Sequence, residues 1–191
     1  MLVKKLQLIT LAITLFLLSS FQLPIGWEKI MLVNSNGQTS TIQVITQRKP
    51  TVFIFISPEC PLCQSYTLTI NQLIKKYANS GIQFIGIVPG TDFSSEQVLS
   101  FNRTYKSTLP IWFDKQLKLT QAIGAKITPE VFFVSNNGKL LYSGRIDNWA
   151  YELSKKRKVI TQHDLINALE SYIHHKPITI TKTKAIGCFI E

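Results

Sequence analysis

Cys60 and Cys63, in the run Phe53-Ile54-Phe55-Ile56-Ser57-Pro58-Glu59-Cys60-Pro61-Leu62-Cys63, are the residues whose type and spacing most directly suggest chemistry. Two thiols separated by two residues let one thiolate attack a disulfide and the other resolve the resulting mixed disulfide. Their position matters as much, because they stand where an apolar, β-branched run gives way to a helical pattern. With Pro61 at the first helical position, where its missing N–H is not needed, Cys60 falls at the helix N-terminus and its thiolate is favoured by the dipole. Cys63 shares the apolar stripe of Tyr66, Ile70, Leu73, Ile74 and Tyr77. These placements predict an exposed, attacking Cys60 and a shielded, resolving Cys63.

Competing readings of a CxxC pair need other partners. A zinc site wants a second pair of ligands at ligand spacing, and this chain offers Cys188, His163, His174 and His175. A purely structural disulfide closing so short a loop removes little entropy from the unfolded chain. Redox use is therefore the expectation, with no cofactor and no bound metal. The third cysteine, Cys188, lies in the tail Lys182-Thr183-Lys184-Ala185-Ile186-Gly187-Cys188-Phe189-Ile190-Glu191. An unpaired thiol in an oxidising compartment must be buried, paired or used. The expectation is a tail folded across the domain with Cys188 buried away from Cys60; the alternative is a tail that reaches the pair and exchanges with Cys60 or completes a soft-metal site.

The elements that must position the pair follow from pattern. Trp27 to Val33 and Thr39 to Thr46 read as strands joined by the turn Asn34-Ser35-Asn36-Gly37. Thr51 to Ile56 is continuously apolar, as in a central strand covered on both faces. Ile82 to Val88 and Leu109 to Phe113 read as further strands. Ser94 with Gln97 forms a capping-box signal for a helix carrying Val98, Phe101 and Tyr105, and Leu117 to Ile123 is a short helix stopped by Gly124. Val131 to Val134 and Lys139 to Ser143 flank Asn136-Asn137-Gly138, a second hairpin. Thr161 and Asp164 are placed to cap a last helix bearing Leu165, Ile166, Leu169, Tyr172 and Ile173. The alternation gives an α/β sheet with central parallel strands and a late antiparallel hairpin, and a thiolate at the C-terminal end of a central strand is where such sheets place their chemistry.

Length and charge bound the rest. At 191 residues the chain has room for one domain with a sizeable core. Residues 1–25 read as a signal peptide or an N-terminal membrane anchor: Lys4 and Lys5, then an apolar run from Leu6 to Leu18, then Ser19-Ser20. Either form places residues 26–176, the domain, and 177–191, the tail, outside the cytoplasm, in the periplasm or cell envelope. The formal charge of +10 includes the run Lys155-Lys156-Arg157-Lys158, which has no aromatic interleaving and no nucleic-acid motif. That run reads as a solvated loop, and nucleic acid is not an expected partner.

With these elements in place the chain, from about Trp27 to Ile173, resembles the thioredoxin-fold superfamily and within it the redoxin or TlpA-like exported thiol–disulfide oxidoreductases. The resemblance rests on Cys60-Pro61-Leu62-Cys63, the early hairpin, and Thr128-Pro129-Glu130-Val131-Phe132-Phe133-Val134 followed by Asn136-Asn137-Gly138-Lys139. It implies a thioredoxin-like fold with an N-terminal β-hairpin extension and exchange with protein thiol and disulfide substrates, supplied with electrons by a membrane thiol–disulfide donor. It also implies a cis bond before Pro129, with Pro129 shaping a substrate groove and the Thr128 backbone free to pair with an extended substrate segment. Departures from thioredoxin are Glu59, expected to oppose the Cys60 thiolate, and Ile54, where thioredoxin carries a buried acid. Two related classes are alternatives. A peroxiredoxin-like peroxide reductase fits Ser57 but not Phe53, where a proline is expected, and a Sco-like copper chaperone has wider cysteine spacing and a histidine that this chain lacks before His163.

Overall fold

A computed structural model describes residues 22–191. Its centre is a seven-stranded mixed sheet whose strands are β1 (Met31–Asn34), β2 (Thr39–Thr41), β3 (Thr51–Phe55), β4 (Gln83–Pro89), β5 (Ile111–Asp114), β7 (Glu130–Val134) and β8 (Leu140–Gly144), in the order β2-β1-β5-β4-β3-β7-β8. β3, β4 and β5 are mutually parallel, and β7 and β8 add an antiparallel edge on the β3 side. The early hairpin continues the opposite edge through β1 against β5. This is a thioredoxin-like fold with an N-terminal hairpin extension.

The continuous apolar run that forms β3 is buried on both faces. Because strand side chains alternate, Val52, Ile54 and Ile56 enter one core with Cys60, Cys63, Tyr66 and Ile70, whereas Phe53 and Phe55 enter a second with Leu32, Ile42 and Leu119. Helix α2 (Pro61–Lys76) and helix α5 (Asp164–Ile173) cover the first face; helix α1 (Ile42–Thr46) and helix α4 (Lys118–Ile123) cover the second. Helix α3 (Ser95–Tyr105) begins with the expected capping box between Ser94 and Gln97 and adds Val98 and Phe101 to the first core.

Four local expectations are corrected. Trp27–Lys29 is a 3-10 turn rather than the start of a strand, and the second strand of the hairpin ends at Thr41. There the Thr41 side chain accepts the Val44 N–H and caps α1, because Ile42 and Thr46 bury one helical face. Thr161 does not cap α5: its hydroxyl accepts from Asn148 at 2.7 Å, while Asp164 pairs with Arg145 at 2.8 Å. The basic run forms a short exposed hairpin instead of a loop, β9 (Ala150–Glu152) with β10 (Lys155–Lys156), in which Lys156 lies over the Trp149 ring.

Most of the segment expected as a leader or anchor lies outside the described residues. Its last part belongs to the folded unit, since Gln22 bridges Lys139 and Leu23 is buried in the second core. Among the described residues no helix is long and apolar enough to cross a membrane.

Candidate active site

Strand β3 delivers the chain through Ser57-Pro58-Glu59 to Cys60, the N-cap of α2, with Pro61 in its first turn. The connection is pinned by Cys60 N–H donating to the Ser57 carbonyl at 3.2 Å and by the Gln64 side-chain amide donating to the Pro58 carbonyl at 2.9 Å. Cys63 is fully enclosed, its sulfur accepting from the Ser57 N–H at 3.5 Å.

A second loop meets this one from the other side of β3. Glu130 pairs with Phe55 across β3 and β7, and its carboxylate accepts the N–H groups of Lys126 and Ile127 at 2.9 and 3.3 Å. The chain is thereby folded back over β6 (Ile127–Thr128), and the Thr128–Pro129 bond is cis. The Thr128 carbonyl oxygen lies 3.1 Å from the Cys60 sulfur. Sequence reasoning gave Glu130 no role; its glutamate, caught between a loop and an apolar strand, was the available signal.

The tail departs most from expectation. Cys188 is not sequestered from Cys60: the two sulfurs are 2.7 Å apart, across 128 positions of sequence. Cys188–Phe189 forms strand β11, antiparallel to β6, with Cys188 opposite Thr128 and Phe189 opposite Ile127. The Thr128 backbone edge expected to be open is therefore paired within the chain. Cys60, expected to be exposed, is only 2 % exposed, whereas Cys188 is partly exposed.

The seating of the tail is written into specific residues. Ser143 donates its N–H to the Thr181 carbonyl and accepts the Thr183 N–H at its own, both at 2.9 Å, and the Tyr142 and Thr183 hydroxyls meet at 2.6 Å. Gly144 holds φ at +131°, and a side chain there would collide with Thr183. Gly187 similarly passes so close to the Thr128 carbonyl that any Cβ would overlap it. Beyond the cysteine, Ile190 donates its N–H to the Lys126 carbonyl at 2.9 Å and packs into the second core.

The electrostatics separate the three thiols. Hydrogen bonding from the Cys63 thiol lowers the Cys60 pKa most, to about 5, joined by the Cys188 thiol and the backbone N–H groups of Cys63 and Cys188, against the opposing effect of burial. When protonated, the Cys60 thiol donates to the Thr128 carbonyl. Burial holds Cys63 well above the ordinary thiol range, with the Cys60 charge adding to it. Cys188 is pushed up to about 12 by burial and by the charge of Cys60. Glu59, expected to oppose the thiolate, is exposed, where water screens its charge. Among the described residues no group of three or more His, Cys, Asp or Glu side chains is arranged to hold a metal ion.

Beneath the pair, Tyr66 donates its hydroxyl to buried Asp147 at 2.7 Å and stacks edge-on against Trp149. This ties α2 to the segment after β8. Asp147 and Trp149 were not singled out from sequence, and Tyr66 was placed there only as part of the buried stripe.

A Redoxin family profile matches residues 19–160. The chain belongs to the Redoxin family. Among curated proteins no sequence match is found. Among solved structures, a hypothetical protein from Sinorhizobium meliloti aligns over 90 % of this chain and 95 % of its own, with a TM-score of 0.76 and 22 % identity. An uncharacterized conserved protein from Geobacillus kaustophilus gives 0.75 and 21 %, covering 90 % of each chain. A secreted disulfide oxidoreductase of Mycobacterium tuberculosis, homologous to DsbE of Escherichia coli, gives 0.56 and 17 %, covering 78 % of this chain and 99 % of that one. At these identities the likeness is one of fold. The Redoxin match ends before the tail, so the strand that covers Cys60 lies beyond the matched span.

Proposed function

We propose that this redoxin is an exported thiol–disulfide oxidoreductase that exchanges disulfides with protein substrates through Cys60 and Cys63. The observation that carries the reading is the placement of Cys60 at the N-cap of α2, one turn from the enclosed Cys63 and 3.1 Å from the Thr128 carbonyl before the cis Pro129, where its pKa is lowered to about 5. In the reduced protein Cys60 attacks a substrate disulfide, and one substrate sulfur leaves as a thiolate. Cys63 then attacks Cys60 Sγ of the mixed disulfide, releasing the second substrate thiol and leaving a Cys60–Cys63 disulfide. The reverse sequence oxidises a substrate dithiol. Cys63 is a poor nucleophile chiefly because it is buried, and the Cys60 charge adds to this; the second effect is removed when Cys60 enters a disulfide.

Thr128 and Pro129 shape the groove beside Cys60, and an extended substrate segment would pair with the edge of β6 by displacing β11, taking affinity from main-chain hydrogen bonds. Export follows from the N-terminal run of lysines and apolar residues, and a membrane thiol–disulfide donor would restore the reduced pair. The test is reduction of a disulfide-bonded protein such as insulin by the full chain with dithiothreitol as reductant. Catalysis should be lost in Cys60→Ser; a Cys60→Ser protein as active as the parent would overturn the reading.

A further inference from the structure

We propose that Cys188 is a third redox residue, and that the tail is a tethered substrate strand whose thiol exchanges directly with Cys60. The proposal deepens the reading above and rests on Cys60 being the exchanging thiol. Three independent features support it. Cys188 Sγ lies 2.7 Å from Cys60 Sγ, so a bond of about 2.05 Å needs only a small side-chain movement. The segment occupies the edge of Thr128 in antiparallel register, the same pairing an extended external substrate would adopt. Gly144 and Gly187 each sit where any side chain would clash with the tail or with Thr128. The close approach is therefore specified by residues on both sides of it.

The pairing is also short enough to yield. β11 is two residues long, Cys188 is partly exposed, and Phe189 is 80 % exposed. A strand of this length can lift to admit a disulfide to Cys60 and settle again, and tethering gives its thiol a high effective concentration on return.

The chemistry balances with a disulfide R–S–S–R′ as oxidant. Cys60 thiolate attacks one sulfur, the S–S bond breaks, and R′–S⁻ leaves to take up a proton. Cys188, having given its proton to solvent, attacks Cys60 Sγ of the mixed disulfide. The Cys60–SR bond breaks, R–S⁻ departs, and Cys60–Cys188 is joined. One disulfide has been reduced to two thiols and two protein thiols oxidised to one disulfide. Cys63 can then attack Cys60 Sγ and release Cys188, transferring the bond to Cys60–Cys63 without further net oxidation. Burial is the main brake on ionisation of Cys188, and the Cys60 thiolate adds to it; lifting of β11 eases the first, and the second ends when Cys60 is in a disulfide.

The experiment uses the full chain with glutathione disulfide, acid quench, alkylation and peptide mass mapping. In Cys63→Ser the Cys60–glutathione adduct should be transient and give way to a Cys60–Cys188 crosslink. In Cys63→Ser combined with Cys188→Ser the adduct should form and persist, with a lifetime at least ~10-fold longer. In the parent chain the Cys60–Cys188 peptide should accompany Cys60–Cys63, a readout that needs no substitution. An adduct equally persistent in the single and double variants, with no Cys60–Cys188 peptide in the parent, would overturn the proposal while leaving Cys60 as nucleophile. Failure of the double variant to form any Cys60 adduct would overturn the nucleophile assignment, and this proposal with it.

Discussion

Lowering the pH tests the Cys60 assignment by the shape of a rate profile. An ordinary thiol at 9.0 and Cys60 at about 5 differ by four decades of acidity. At pH 6 that difference gives ~900-fold more thiolate, while the weaker basicity lowers intrinsic nucleophilicity by roughly 40- to 100-fold for a Brønsted slope near 0.4–0.5. The surplus is roughly 10- to 20-fold at pH 6, near unity at pH 7, and reversed at pH 8. Cover by the tail slows every rate, so the diagnostic is the pH dependence rather than the absolute rate. Labelling with iodoacetamide between pH 4 and 9, read by peptide mass spectrometry, should show Cys60 half-maximal near 5 and flat above 6, with Cys63 and Cys188 unlabelled through pH 8. A Cys60 rate that climbs about tenfold per pH unit through pH 7 would refute the proposed donors to its thiolate. The same shift has a stability consequence of fixed sign. The folded-state pKa lies below the unfolded 9.0, so the contribution is full above pH 9, declines as the pH falls, and is gone below about 5.

Other substitutions probe the parts that hold the site. Glu130→Ala leaves the Lys126 and Ile127 N–H groups without their acceptor, which should cost about 1–3 kcal/mol and lower Tm by several degrees, measured by calorimetry, and should slow insulin reduction. Tyr66→Phe removes the donor to buried Asp147, with a similar cost of about 1–3 kcal/mol in chemical denaturation, and should leave the Cys60 labelling profile unchanged. Gly187→Val places a side chain on the Thr128 carbonyl and should displace the tail, seen as faster hydrogen exchange at the Ile190 amide and faster alkylation of Cys60 at pH 6.

Much of this arrangement was legible in the sequence because it is coded locally. The unbroken apolar character of Thr51 to Ile56 announces a central strand, Ser94 and Gln97 announce a helix start, and Cys60 before Pro61 announces the helix terminus that carries the thiol. Errors arose where local and tertiary signals compete. Thr39 to Thr46 is rich in β-branched residues, yet burial of Ile42 and Thr46 turns its second half into a helix. Thr161 has the chemistry of a cap, but Asn148 claims its hydroxyl. The tail was illegible for a different reason: it has no helical or strand period, and its place is set by contacts with Ser143, Gly144 and Thr128, far away in sequence. Sequence reasoning gave Gly187, beside Cys188, no role; the close approach it permits to the Thr128 carbonyl emerges only from the fold.

A Cys60 thiolate stabilised within a working dithiol–disulfide couple should set the midpoint potential of that couple. Equilibration of the full chain in glutathione buffers at pH 7, with acid quench and mapping of Cys60, gives that number. Relative to thioredoxin, with a thiol pKa near 7 and a potential of about −270 mV, a thiolate at about 5 favours the reduced form by ~2 kcal/mol, or ~50 mV. One two-electron transition is expected near −220 mV, with Cys60 in the disulfide. A midpoint at or below about −270 mV, or a Cys60 that enters no disulfide across the range, would contradict it.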